Sequence, residues 1–175
     1  ERPVESSVEM QKMLDRAASG IEKLKIPDDV IFLPENLTYP AWHFGGLWYQ
    51  NVFNKPGEIT KFCDRFGFKM TFDTSHSWLA AAHYGFDYYK FAEECAPYTL
   101  HMHVVDGKAP NGEGLQIGEG DVDFPRLFKI FEEKAPKDIS WLPEIWQGHL
   151  ENLKGFKIGL HNLGKLDIPL LKVKS

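Results

Sequence analysis

The chain has 175 residues, 43% hydrophobic and 26% charged, which is enough for one globular domain with a sizeable core. Its net charge of −5 disfavours nucleic-acid binding, and no apolar run approaches the roughly 20 residues that a membrane-spanning helix needs. The two cysteines, Cys63 and Cys95, exclude a disulfide framework and a cysteine-rich zinc site. We therefore expect Cys63 to be a buried free thiol and the protein to be cytoplasmic.

The predicted elements alternate between helices and strands along the chain. Residues 6–25 predict an amphipathic first helix, because Ser6 and Glu9 have capping-box spacing and apolar residues recur at helical intervals. Asp123 resembles an N-cap, with Pro125 in the first turn of a later helix. The remaining predictions are strands at residues 30–33, 68–72, 98–105 and 139–145, helices at about 58–66, 86–96, 123–133 and 150–164, and loops at 37–57 and 107–122.

This alternation predicts an α/β fold with parallel strands joined by right-handed crossovers. Both a doubly wound open sheet and a closed barrel satisfy the pattern. Neither G-x-G-x-x-G nor G-x-x-x-x-G-K-[ST] occurs, which argues against the usual dinucleotide and P-loop sites.

Each predicted strand carries a carboxylate or an imidazole at or near its C-terminal end. These residues are Glu35, Asp73, His103 and Glu144. The C-terminal edge of a parallel sheet is where ligands bind, and crowded carboxylates repel one another unless a cation or protons lie among them. We therefore predict one divalent metal ion, with Mn²⁺, Mg²⁺ or Co²⁺ favoured and Zn²⁺ also compatible. The alternative is that each acid is only a helix cap or a loop residue.

Five short motifs together resemble a known family. They are LPENL (33–37), FDTSH (72–76), HMHVVDGK (101–108), IGEGDVDF (117–124) and LPEIWQ (142–147). In order and spacing they are similar to the second half of the sugar phosphate isomerase/epimerase family, which belongs with the xylose-isomerase-like barrels and endonuclease IV. The resemblance implies a (β/α)₈ TIM barrel of which only the C-terminal four β/α units, strands five to eight, are present in residues 1–175 as a single domain.

The resemblance also implies roles for the residues at the strand ends. Glu35, Asp73, His103 and Glu144 would hold the metal, and Glu35 and Glu144 would be the catalytic acid/base pair on opposite faces of the substrate. His76 would donate a hydrogen bond to a substrate oxygen.

Four further residues have two interpretations each. His101 lies two residues before His103 and is either a substrate contact or a core histidine. Asn36 either contacts substrate or stabilises the turn after the first strand. Lys108 either meets an anionic substrate group or is solvated, and Asp106 either orients His103 or caps a turn.

A complete barrel of this type takes about 250 residues and eight strands, whereas four strands are predicted here. An open half-barrel exposes its inner face and two sheet edges. We expect the chain to be a fragment of a longer protein, or else to pair with a second chain or with a copy of itself.

The predicted function is a metal-dependent isomerase or epimerase that acts on a keto-sugar or related polyol by proton transfer next to a carbonyl. A lyase or dehydratase on the same metal site remains an alternative, as does a half-barrel that binds ligand without turnover. An endonuclease IV-like nuclease is disfavoured, because that family needs extra zinc ligands before the IGEG motif and residues 111–116 contain no histidine. We expect a small sugar-like substrate and neither a nucleic acid nor a membrane as partner.

Overall fold

A three-stranded parallel sheet organises the part of the chain that this computed structural model describes, which comprises residues 4, 6–39, 41–43, 46–166 and 168–169. The helices are α1 Ser7–Glu22, α2 Glu58–Phe66, α3 Thr74–Tyr84, α4 Tyr88–Cys95, α5 Phe124–Lys134 and α6 Leu150–Gly164. The strands are β1 Ala41–His43, β2 Gly46–Trp48, β3 Met70–Asp73, β4 Thr99–Val104, β5 Asp106–Lys108, β6 Gly112–Leu115 and β7 Ser140–Pro143. None of the helices in these ranges combines the length and apolar character that crossing a bilayer requires.

The sheet follows chain order, β3-β4-β7, and all of its pairs are parallel. The register places Asp73 opposite His103, and His103 opposite Leu142. On the outer side of β3, Glu35 forms a single parallel bridge with Thr71. Four successive chain segments therefore lie side by side, and the described residues form an open sheet without closing into a barrel.

The prediction of a strand at residues 30–33 is wrong, because this segment forms no ladder of backbone hydrogen bonds. Val30 and Ile31 are 53% and 71% exposed. Backbone pairing with β3 comes after them, at the bridge at Glu35 and in a 2.9 Å hydrogen bond from Thr71 N to Pro34 O. Pro34 has no N–H to donate, which shortens the ladder that this segment can form. An apolar run makes a strand only where neighbouring chain covers it.

Helices cover one face of the sheet and leave the other face open. Phe72 and Met102 are fully buried on the covered face, where Phe72 contacts Phe91 of α4 and Phe131 of α5. Alternate residues point the other way, so His103 and its neighbours line the open face. This face carries the polar strand ends.

Local capping predictions are confirmed. Ser6 accepts a hydrogen bond from Glu9 N at the start of α1, and Asp123 accepts one from Arg126 N at the start of α5. Both bonds satisfy backbone donors that the first turn leaves unpaired. Cys63 and Cys95 are buried free thiols, as predicted for Cys63.

Helix α3 and two antiparallel hairpins were not predicted, and the first hairpin, β1–β2, lies in the predicted loop at 37–57. Helix α3 buries most of its circumference, so its sequence lacks the polar stripe that identifies a surface helix. The predicted loop at 107–122 contains the antiparallel β5–β6 hairpin. Its two strands are three and four residues long, too short for a clear alternation of polar and apolar residues.

Candidate metal centre

The strand ends bring together the four side chains predicted to bind metal. Glu35, Asp73, His103 and Glu144 each offer one ligand atom, and these atoms all lie within 4.8 Å of one another. Asp73 ends β3, His103 is its register partner on β4, Glu144 follows β7, and Glu35 sits at the bridge beside β3. Long-range strand pairing thus gathers residues separated by up to 109 positions (144 − 35) at one edge.

His103 is the centre of this cluster. Its Nδ1 lies 2.6 Å from Glu144 Oε2, 3.3 Å from Glu35 Oε1 and 3.8 Å from Asp73 Oδ2. Burial alone would lower the pKa of His103, but hydrogen bonds to Glu144 and Glu35 outweigh it and raise that pKa to about 10. Burial likewise favours neutral Glu35, yet hydrogen bonds from His103 and His76 lower its pKa to about 2. The site strongly stabilises positive charge at its middle.

Asp73 is the buried anchor of the cluster. Its carboxylate is 1% exposed, and burial raises its pKa to about 6. One oxygen, Oδ1, accepts hydrogen bonds from Ser75 Oγ at 3.0 Å and from His76 N at 2.7 Å. The other oxygen, Oδ2, faces His103. The N-terminus of α3 therefore fixes the orientation of the carboxylate towards the cluster.

These four residues fit a divalent cation. Three carboxylates and one imidazole supply the oxygen-rich donor set that suits Mn²⁺, Mg²⁺ or Co²⁺, and a cation among them would relieve the repulsion between the carboxylates. An ion held by these four residues would have further coordination positions for substrate oxygens.

His76 links this cluster to the β5–β6 hairpin. Its Nδ1 lies 3.1 Å from the carbonyl oxygen of Asn36 and 3.2 Å from Glu35 Oε1, while its Nε2 lies 3.2 Å from Glu113 Oε1. Burial opposes its charge, but Asp73, Glu113 and Glu35 outweigh that effect and raise the pKa of His76 well above its ordinary value. The imidazole therefore presents Nε2–H as a donor beside Glu113.

Asn36 is fully buried, and its side-chain amide is used inside the protein. Its Nδ2 donates to Asp73 O at 3.1 Å and to Ser77 Oγ at 2.8 Å, and its Oδ1 accepts from Asp73 N at 2.9 Å. Of the two interpretations given to Asn36, stabilisation of the turn accounts for each of these bonds. The residue ties the segment of Glu35 to the end of β3.

The other sequence candidates lie around the cluster. His101 shares the open face with His103, their ring centroids are 5.3 Å apart, and its Nδ1 lies 2.7 Å from Ser140 Oγ. Lys108 is exposed at the end of β5 and lies outside the lining of the cavity at the cluster. Asp106 is buried and accepts backbone hydrogen bonds from the loop that follows β6, which supports its structural interpretation.

A cavity of about 520 Å³ opens beside the cluster. Its lining includes Glu35, Asp73, His76, Glu113, Glu144 and Trp146. Sequence reasoning missed Glu113 and Trp146. The signal for Glu113 was a lone acid between two glycines in a loop, which is common without any function. A second crevice of about 450 Å³, between α1 and α2, lies away from these residues.

The chain belongs to the family of xylose isomerase-like TIM barrels, whose model matches residues 3–166. This match confirms the resemblance seen in the strand-end motifs.

Among solved structures, the chain is similar to a D-tagatose 3-epimerase-like protein, with 19% sequence identity and a TM-score of 0.58. The similarity covers 94% of this chain and 61% of that protein, so the chain spans less than two thirds of its structural neighbour. At this identity the likeness shows the fold alone. No curated protein sequence matches the chain.

Proposed function

We propose that the protein is a divalent-metal-dependent isomerase or epimerase of a keto-sugar or related polyol. The observation that carries this proposal is the convergence of Glu35, Asp73, His103 and Glu144 at one sheet edge, with ligand atoms within 4.8 Å of one another. The family match and the D-tagatose 3-epimerase-like neighbour agree with sugar chemistry at such a site.

Glu35 and Glu144 are the proposed acid/base pair. They approach His103 from separate chain segments, one bridged to β3 and the other following β7. One carboxylate removes a proton from the carbon next to the substrate carbonyl, and the other delivers a proton to the opposite face of that carbon. Glu144 is the more accessible of the two, with its side chain 53% exposed against 28% for Glu35.

His76 is proposed to orient the substrate. The Asn36 carbonyl accepts from Nδ1–H, and Nε2–H lies at the cavity, where it donates to Glu113 Oε1 at 3.2 Å. A substrate oxygen placed beside Glu113 shares this donor in a bifurcated, charge-assisted hydrogen bond. A divalent ion held by Glu35, Asp73, His103 and Glu144 would supply Lewis-acid chemistry at the substrate carbonyl.

We also propose that further β/α units, from the same polypeptide or from another chain, complete the barrel. Two observations support this: the chain spans 61% of its structural neighbour, and Leu142, on the open face of the sheet, is 40% exposed. A solution mass equal to that of one 175-residue chain, for a protein with no exposed apolar surface, would contradict it.

The test of the function is proton exchange between substrate and solvent. With Mn²⁺ and a panel of ketoses in D₂O, the wild-type protein should incorporate deuterium at the carbon next to the carbonyl. Glu144→Gln should reduce the exchange rate at least a thousandfold, because its amide cannot transfer the proton. Glu133→Gln, an exposed position on α5, is the matched control and should exchange at the wild-type rate.

Exchange at the normal rate in Glu144→Gln would remove this residue from the mechanism. Product analysis separates an isomerase from a lyase, since both begin with the same proton abstraction and only the lyase loses a leaving group. Lack of saturable Mn²⁺, Co²⁺ or Zn²⁺ binding would count against both catalytic proposals.

A further inference from the structure

The β5–β6 hairpin holds a carboxylate, Glu113, at the cavity beside His76. Gly114 has a φ of +69°, and a Cβ there would lie 2.9 Å from Trp146 Cβ, so only glycine fits. Its carbonyl accepts a 2.8 Å hydrogen bond from Trp146 N, which docks the hairpin against the segment after β7. Glu113 is therefore carried by a backbone that the fold positions.

The base of the hairpin is fixed independently of the metal ligands. Asp106 is 1% exposed, and its two carboxylate oxygens accept hydrogen bonds from the backbone N–H groups of Gly107, Gly118, Gly120 and Val122. These bonds tie the start of the hairpin to the loop after it. The backbone that carries Glu113 is therefore held by contacts within the protein.

One oxygen of Glu113 is free to meet a ligand. Oε1 lies 3.2 Å from His76 Nε2, whereas Oε2 has no partner among the described residues. The side chain is only 25% exposed, and it lines the same cavity as Glu35 and Glu144. A carboxylate oxygen without a protein donor, on a side chain that lines the cavity, is suited to accept a hydrogen bond from a substrate hydroxyl.

The charge of the cavity restricts what can enter it. Among the described residues, four carboxylates line it, those of Glu35, Asp73, Glu113 and Glu144, and neither a lysine nor an arginine does. These four negative charges outnumber the three positive charges that one divalent cation and one imidazolium would bring. In α/β barrels, phosphate groups frequently bind at the loops after the last two strands, and here the segments after β4 and β7 contribute Glu113 and Glu144 instead.

We propose that Glu113 is a specificity-determining residue that accepts a hydroxyl of an uncharged, polyhydroxylated carbonyl compound and selects against phosphorylated sugars. This inference rests on the proposed function, since it concerns the substrate of the same site. The hydroxyl donates to Glu113, while the Glu113 charge repels a phosphate ester.

Binding, measured separately from turnover, tests the inference. The four D-ketohexoses and their 6-phosphates are titrated calorimetrically into the Mn²⁺-loaded complete protein. At least one free sugar should bind tenfold or more tightly than its 6-phosphate. In Glu113→Gln, affinity for that free sugar should fall about tenfold, as expected for a lost charge-assisted hydrogen bond, and the preference over the phosphate should shrink. Glu119→Gln, an exposed acid in the following loop, is the matched control and should keep the wild-type preference.

The inference is overturned if every 6-phosphate binds as well as its free sugar, if no sugar binds, or if Glu113→Gln keeps the wild-type preference. Deuterium exchange decides the proposed function independently. If the preference for a free sugar depends on Glu113 but no deuterium is exchanged, the catalytic proposal is wrong and the specificity proposal holds. If deuterium is exchanged but phosphate esters bind tightly, the catalytic proposal holds and the specificity proposal is wrong.

Discussion

The two ends of the metal cluster are built differently. At β3, Asp73 is buried and its oxygen Oδ1 is fixed by Ser75 and the backbone of His76. At β7, Glu144 is half exposed, and Trp146 just beyond it is 67% exposed. A rigid, desolvated end suits a permanent ligand, whereas an accessible end suits a group that must exchange a proton with substrate. The contrast predicts a division between holding the metal and carrying out the chemistry.

The largest effect is expected on replacing Asp73, the buried residue of the β3 end. We expect Asp73→Asn to weaken Mn²⁺ binding at least a hundredfold, because it removes an oriented anionic ligand from a desolvated position. Glu144→Gln should weaken Mn²⁺ binding much less while abolishing proton exchange. Isothermal titration calorimetry on both variants measures the difference. Equal losses of metal affinity would show that the two ends do not differ in role.

The rigidity of the β3 end depends on Asn36, whose side-chain amide bonds to Asp73 and Ser77. Asn36→Ala leaves the buried Asp73 N–H without its acceptor, while the Ser77 hydroxyl still donates to the Asp73 carbonyl at 2.8 Å. Since an unsatisfied buried group costs about 1–3 kcal/mol, the free energy of unfolding should fall by about 2 kcal/mol.

Urea denaturation measures this loss, and Asn111→Ala, in the exposed hairpin turn, is its matched control with a change below about 0.5 kcal/mol. A loss as small as that of the control would show that these bonds do not support the β3 end.

The smallest expected effect is a fall in the free energy of unfolding of the chelator-treated protein as pH rises. His103 has its pKa raised to about 10, so its contribution to stability is complete below the unfolded value of about 6.5 and is lost as pH rises through about 10. We expect stability to fall by about 1–2 kcal/mol between pH 7 and pH 10, since solvent screens the half-exposed Glu144.

Denaturation curves at several pH values measure this slope. Mn²⁺ should oppose it, because the metal needs the unprotonated imidazole and binds more tightly as pH rises. His103→Gln should flatten part of the slope, with His76, whose pKa is also raised, supplying the rest. A slope unchanged in His103→Gln would place the titrating charge elsewhere.

The four strand-end residues and two helix caps could be predicted from the sequence. Glu35, Asp73, His103 and Glu144 could be predicted because parallel strands present their C-terminal ends at one edge, so strand order alone places these residues together. The caps at Ser6 and Asp123 could be predicted because a cap depends on residues within one turn.

The remaining features depend on contacts between residues far apart in the chain. Asn36 meets Asp73 across 37 residues, and His76 meets Glu113 across 37 residues. The apolar residues at 30–33 carry a strand pattern, yet Val30 and Ile31 are exposed because no strand in the described part of the chain covers them.

The sequence by itself determined the residue types of the candidate metal site, the alternation of elements and the local caps, since these follow from short-range geometry and chemical preference. Only the tertiary structure decided that Asn36 supports the turn, that α3 is buried on most sides and that Glu113 enters the cavity. Hydrogen bonding and burial between distant segments depend on how the whole chain packs, so a local sequence pattern does not predict them.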